Sequence, residues 1–173
     1  MSGELHKHTF ENWRARLPAR TKLVVDVVVE TLVPQLEERG FGWVDDLLNL
    51  GQGYINRADD IPMQRKADRY CDVVSIGFSK KCQPNFSINF RRWTEEELAR
   101  GEMWLPHYLS KRTSEGWRAK RFGFNCMDPF VTSARCRKLI NQTIALLPQM
   151  DECFESGKIG PNITKSQFIS LRK

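Results

Sequence analysis

Long apolar runs are absent from the 173-residue chain. No window reaches the roughly 18 consecutive apolar residues of a membrane-spanning helix. Met1 to Phe10, which holds His6, Lys7 and His8, lacks the apolar centre of a secretory signal peptide, so a cytoplasmic protein is expected. Cysteine is sparse: Cys71, Cys82, Cys126, Cys136 and Cys153 are odd in number and include no pair at the spacing of a zinc ribbon or a dithiol redox motif. Cys71 and Cys82 could meet across a hairpin, but reduced thiols are the expectation for a reducing compartment.

Catalytic punctuation is equally thin. His6 and His8 stand near the free end, and His107 has no serine or cysteine nucleophile motif at a recognisable offset. "GQGY" at Gly51 to Tyr54 lacks the lysine and helix of a phosphate loop and reads as a turn. Asp59 and Asp60, and Glu95 to Glu97, fall in polar runs and read as solvated faces. No catalytic residue, metal ligand set or cofactor motif follows, and a protein that is not an enzyme is expected.

What is present is a globular composition, 40% hydrophobic and 28% charged. A chain of this length buries about 70% of its unfolded surface and needs no covalent staple. One domain over residues 1–173 is expected, with loosely attached ends at about 1–8 and 162–173. The net charge of +6 favours acidic partners, either protein or nucleic acid.

Periodicity supplies the architecture. Phe10, Trp13 and Leu17 recur at helical spacing before Pro18, predicting a short helix. Leu23, Val24, Val27, Val28, Leu32 and Leu36 form one stripe that Gly40 stops, and Pro34 predicts a kink or break near Thr31; a buried strand through "LVVDVVV" is the alternative. Residues 41–70 read as short strands or irregular loop, with an early strand at Phe41 to Val44. Val74, Ile76 and Phe78 alternate with Ser75, Gly77 and Ser79, and Phe86, Ile88 and Phe90 with Ser87, Asn89 and Arg91, predicting two antiparallel strands around the loop "KKCQPN".

Thr94 and Glu97 have capping-box spacing, which predicts a helical turn stopped by Gly101. "WLPHYLSKR" and "GWRAKRFGFN" complete a sheet of about four strands. Asp128 before Pro129 opens a long C-terminal helix that Pro148 kinks or splits and Gly157 or Gly160 ends. The fold class predicted is α+β: an antiparallel sheet packed on one face by the N-terminal and C-terminal helices, its polar face open to water.

One region is basic and aromatic. Lys111, Arg112, Arg118, Lys120 and Arg121 gather near Trp117, Phe122 and Phe124, and Arg91 and Arg92 lie on the predicted hairpin. Arg91, Arg92, Lys111, Arg112, Trp117, Arg118, Lys120 and Arg121 are the candidate partner-binding residues. RNA-binding sheets use such a mixture, with cations on phosphates and rings under bases. The preferred reading of this region, however, has Phe122 and Phe124 pointing into the core and the arginines coating the outside.

The order "LVPQLEERGF", "VSIGFSKKCQPNFSINF" and "INQTIALLPQMDECFESGKIGPNI" resembles a family of small bacterial α+β proteins classed as a domain of unknown function. Related proteins are often encoded beside toxins of bacterial competition systems, where small domains act as immunity proteins. The resemblance implies a non-catalytic binding protein that neutralises a toxin, and it assigns no site residues. A protein partner with an acidic surface is the first expectation, and RNA or DNA binding the alternative.

Overall fold

A computed structural model describes residues 2–44, 58–79, 81, 83–94, 96–97, 107–110, 121–125 and 127–165. Helix α1 spans Ser2–Ala15 and α2 spans Ala19–Val27, with Pro18 between them where its missing N–H costs no ladder bond. The valine-rich stripe is helical. It continues through a π-turn at Val28–Leu32 into α3, Val33–Glu37. Pro34 causes this turn: it has no N–H for the Glu30 carbonyl, and its ring would collide with that oxygen in a regular α-helix. The wider turn absorbs the conflict, with the Val33 N–H donating five residues back to the Val28 carbonyl.

The sheet is antiparallel and seven-stranded: β1 Gly42–Trp43, β2 Asp60–Ala67, β3 Tyr70–Phe78, β4 Asn85–Thr94, β5 His107–Leu109, β6 Phe122–Gly123 and β7 Ile163–Lys165. Its spatial order is β1-β2-β3-β4-β5-β7, and β6 pairs with the start of β4. The expected hairpin is β3–β4, in which Phe78 faces Phe86 and Ser75 faces Asn89. Strand β2 settles as one eight-residue strand a segment read as short strands or loop, despite Pro62. The Phe78 N–H donates to the Asp59 carbonyl, so hydrogen-bonded pairs fall on alternate residues and Pro62, opposite Ser75, lies between them. Its missing donor faces away from β3, towards the short strand β1. Asp59 and Asp60, expected to be solvated, are buried at this strand's start. Ile163–Lys165, expected within a loose tail, pairs with β5.

Helix α4 spans Ser133–Ile144 and α5 Leu147–Ser156; Pro148 lies in the first turn of α5, so the C-terminal helix is split in two. The start of α4 differs from the Asp128–Pro129 reading. Thr132 is the N-cap, its hydroxyl accepting from the Arg135 N–H, because Asp128 is committed to a turn described below. Gly157 ends α5 at φ 72°, a left-handed conformation that glycine adopts without strain. The capping box is formed: the Glu97 N–H donates to Thr94 Oγ1 and the Thr94 N–H to Glu97 Oε2, which together with Arg91 holds the Glu97 carboxyl below its usual range.

The helices cover the face carrying Ile61, Met63, Val74, Ile76, Phe78, Phe86, Ile88 and Phe90, all buried. Phe10, Phe78, Phe86 and Phe122 form a continuous aromatic chain with centroid separations of 6.1, 6.4 and 5.5 Å. Such contacts add about 0.5–1.5 kcal/mol each to area burial. The opposite face is not open to water. Val73 and Trp93 are 1% exposed and Ser75 0%. Ser75 Oγ, Asn89 Oδ1 and Trp93 Nε1 all lie on that face, buried without a hydrogen-bond partner.

One row of the helix-facing side is ionic. Arg65, Asp72 and Arg92 are direct cross-strand neighbours on β2, β3 and β4. Asp72 is fully buried; it accepts from Arg92 Nε at 2.6 Å and Nη2 at 2.9 Å, and from Arg65 Nη2 at 2.9 Å. Arg65 also donates to the Arg39 carbonyl, and Arg39 to Asp151 of α5, so this row ties the sheet to both helical layers.

Candidate protein-binding surface

Two of the candidate partner-binding residues, Arg91 and Arg92, are separated by strand geometry. Arg91 and Arg92 are consecutive in β4, so their side chains leave opposite faces. Arg91 pairs with Glu97 at 2.7 Å, and Arg92 with Asp72 on the helix-covered side. Arg121 is exposed and donates to Asn85 Oδ1 at 2.7 Å. Lys111, Arg112, Trp117, Arg118 and Lys120 lie outside the described residues. The aromatic pair of "KRFGF" is not a stacking platform. Phe122 is in the core against Phe86, and Phe124 is half-buried with the Arg135 guanidinium 5.0 Å from its ring centre.

The chain leaving β6 builds a different feature. The Asp128 N–H donates to the Asn125 carbonyl and the Met127 N–H to Asn125 Oδ1, closing a tight turn. Asp128 Oδ1 then accepts from the Phe130 N–H at 2.8 Å. Arg135, one turn into α4, locks both halves: Nη1 donates to the Phe130 carbonyl at 2.7 Å and Nη2 to Asp128 Oδ2 at 3.0 Å. The Arg135 and Phe130 hydrogen bonds hold the Asp128 carboxyl below the usual range, so the lock is charged at neutral pH.

This tied turn presents two large apolar side chains to solvent. Met127 is 80% exposed and Phe130 69%. Arg137 and Lys138 are exposed on the first turns of α4, and Arg20 lies near enough to favour the ionised form of Asp128. The surface is therefore apolar at its projecting point, with Arg135 and Arg20 as the cations beside it. Sequence reading passed over Met127 and Phe130 because Asp128–Pro129 has the form of a helix start; the signal available was Asn, Asp and Pro around large apolar residues outside any helical period.

The three buried cysteines described, Cys71, Cys136 and Cys153, are free, and burial pushes each thiol up. Among the described residues no group of three or more potential ligands could hold a metal ion, and no helix is long and apolar enough to cross a membrane. In comparisons with known proteins the chain matches no family model, no curated protein and no solved structure.

Proposed function

We propose that the protein is a binding module that holds an acidic-surfaced protein partner through the Asn125–Thr132 turn and the first turns of α4. The observation that carries this reading is the exposure of Met127 and Phe130 on a turn whose backbone is already fixed by Asp128 and Arg135. Large apolar groups held rigidly in solvent have the form of interface anchors: they fill a partner's pocket, and little ordering entropy remains to be lost on binding. Arg20 beside the turn and the exposed Arg137 and Lys138 of α4 favour a negatively charged rim on the partner and speed encounter. Inhibition of a toxin, as the family resemblance implies, is the finer form of this proposal.

Affinity capture at native expression, with the unaltered chain and Phe130→Ala side by side, tests the reading. An acidic protein should be retained by the first and lost from the second. Its affinity, measured by calorimetry, should fall about 30-fold or more, the effect of an anchor worth about 2 kcal/mol. Equal retention would refute the assignment of this surface. Tight binding of random oligonucleotides at low salt, lost steeply as salt rises, would replace the protein partner with nucleic acid.

A further inference from the structure

A concave site lies on the helix-covered side of the sheet, beneath the last turn of α5. It is a cleft of about 510 Å³ lined chiefly by Phe90, Arg92, His107, Cys153, Phe154 and Lys165. The register explains its composition. Phe90 of β4, His107 of β5 and Lys165 of β7 are direct cross-strand neighbours on one face, and Arg92 follows two residues beyond Phe90 on that same face. The His107 ring stacks on Phe90 at 5.4 Å, and Phe154 meets Phe90 edge-on at 5.3 Å, giving an aromatic floor and wall.

The charge of this cleft is one-sided. Among the described residues no Asp or Glu lines it. Arg92 is held from behind by Asp72, a carboxylate it shares with Arg65, which also lies 4.0 Å from Asp151. Arg92 Nη1 has no acceptor among the described residues, and Lys165 has no carboxylate partner among them. The groups around His107 are Lys165 on β7, Arg91 and Arg92 on β4 and the Cys153 thiol on α5, which burial keeps neutral; Glu155 acts on Arg92 rather than on the imidazole. Burial first, then Lys165 and Arg91, push the His107 imidazole down, so it is uncharged at neutral pH and adds no cation of its own.

We propose that this cleft binds a small molecule that carries an oxyanion, carboxylate or phosphate, on a flat apolar body. The oxyanion lies between Arg92 and Lys165, where the guanidinium is prefixed by Asp72 and forms charge-assisted hydrogen bonds without further ordering. The body lies against the half-buried His107 ring, which the buried Phe90 and Phe154 support from behind. The volume is within the range of small-molecule pockets, and an aromatic lining with a few convergent polar groups is their usual construction. This site is independent of the protein-binding turn, and neither proposal requires the other.

Proton–carbon NMR of the full chain, following the ring signals of His107, tests the proposal. His6 and His8, near the chain start, serve as internal controls. The probes are phenyl phosphate, benzoate, inorganic phosphate and benzyl alcohol. Phenyl phosphate or benzoate should shift His107 saturably and leave His6 and His8 unmoved. Preference between these two assigns the oxyanion. At saturation the His107 titration should move upward by about one pH unit, because the bound anion reverses the local potential. Lys165→Ala, at an exposed position, should keep the fold by circular dichroism and weaken the probe about tenfold. No saturable shift, an equal response to benzyl alcohol, or unchanged affinity in Lys165→Ala would overturn the site. Inorganic phosphate binding as well as phenyl phosphate would overturn the aromatic floor's role.

Discussion

Asp72→Asn is the most informative single change in this fold. The native carboxylate is fully buried and meets two guanidiniums, at 2.6 and 2.9 Å from Arg92 and at 2.9 Å from the nearer nitrogen of Arg65. Asparagine keeps the shape and one acceptor but removes the charge, leaving two cations side by side in one cross-strand row. Removing one partner of a buried pair costs about 3–5 kcal/mol. Both arginine side chains are partly exposed, at 28% and 27%, so water recovers part of that loss. The expectation is therefore the low end, about 3 kcal/mol. In urea, with a slope of about 2 kcal/mol/M for a domain of this size, the midpoint should fall by about 1.5 M. Replacing Arg65 and Arg92 by Met in the same chain should restore much of the loss, since no unpaired charge remains. A loss below about 1 kcal/mol for Asp72→Asn alone would refute the claim that this carboxylate anchors the row.

Two further outcomes bear on the sheet and on pH. Trp93→Ala should destabilise by about 3–5 kcal/mol, as Phe86→Ala should, because both faces of β4 are packed. Ser75→Ala should be neutral or slightly stabilising by denaturation, since its buried hydroxyl has no partner to lose; a large loss would mean that the hydroxyl is bonded. Burial pushes the Asp26 carboxyl up, but Lys22 and Arg14 more than offset this and hold it below 3.8. A depressed carboxylate contributes stability above its unfolded pKa, and that contribution disappears as pH falls through the folded value. The stability difference between the unaltered chain and Asp26→Asn should therefore be constant from about pH 5 to 7 and shrink below about pH 4, as read by urea midpoints.

The parts of the fold legible in the sequence are those that carry their own period. The stripe from Leu23 to Leu36 and the alternation on either side of residues 79–85 specify α2, β3 and β4, because each buries its apolar set without needing another segment's register. Strands β5 and β6 were legible only in part, and β7 not at all. They are two or three residues long and exist by pairing with each other or with the long strand β4, a property of the partner's edge rather than of their own sequence. Strand β2 was hidden by Pro62, whose tolerance depends on which of two alternating positions it occupies. The buried second face was signalled and missed: Val73 and Trp93 share the parity of Ser75 and Ser87, so that face was never uniformly polar. The anchors Met127 and Phe130 carry no periodic signal, and the ionic row is invisible until β2 is in register with β3.

The disposition of charge also bears on which partner suits the chain. Polyanion binding draws on many cations of similar accessibility along one surface, each responding to salt. Among the described residues several acids neutralise arginines that sequence alone leaves free: Asp72 engages Arg65 and Arg92, Glu97 engages Arg91, Asp128 engages Arg135, and Asp26 engages Arg14. These pairs lie on different elements and on both faces of the sheet. Among the described residues the cations left without a carboxylate are scattered, among them Arg20 beside the apolar anchors, Lys165 beside an aromatic cleft, and Lys66, Lys81, Arg121 and Arg137 on four other segments. A surplus distributed in this way gives steep differences between individual side chains rather than a uniform field. Unequal effects of single truncations are what a protein interface with a few anchors produces, and this is the physical ground for preferring a protein partner over nucleic acid.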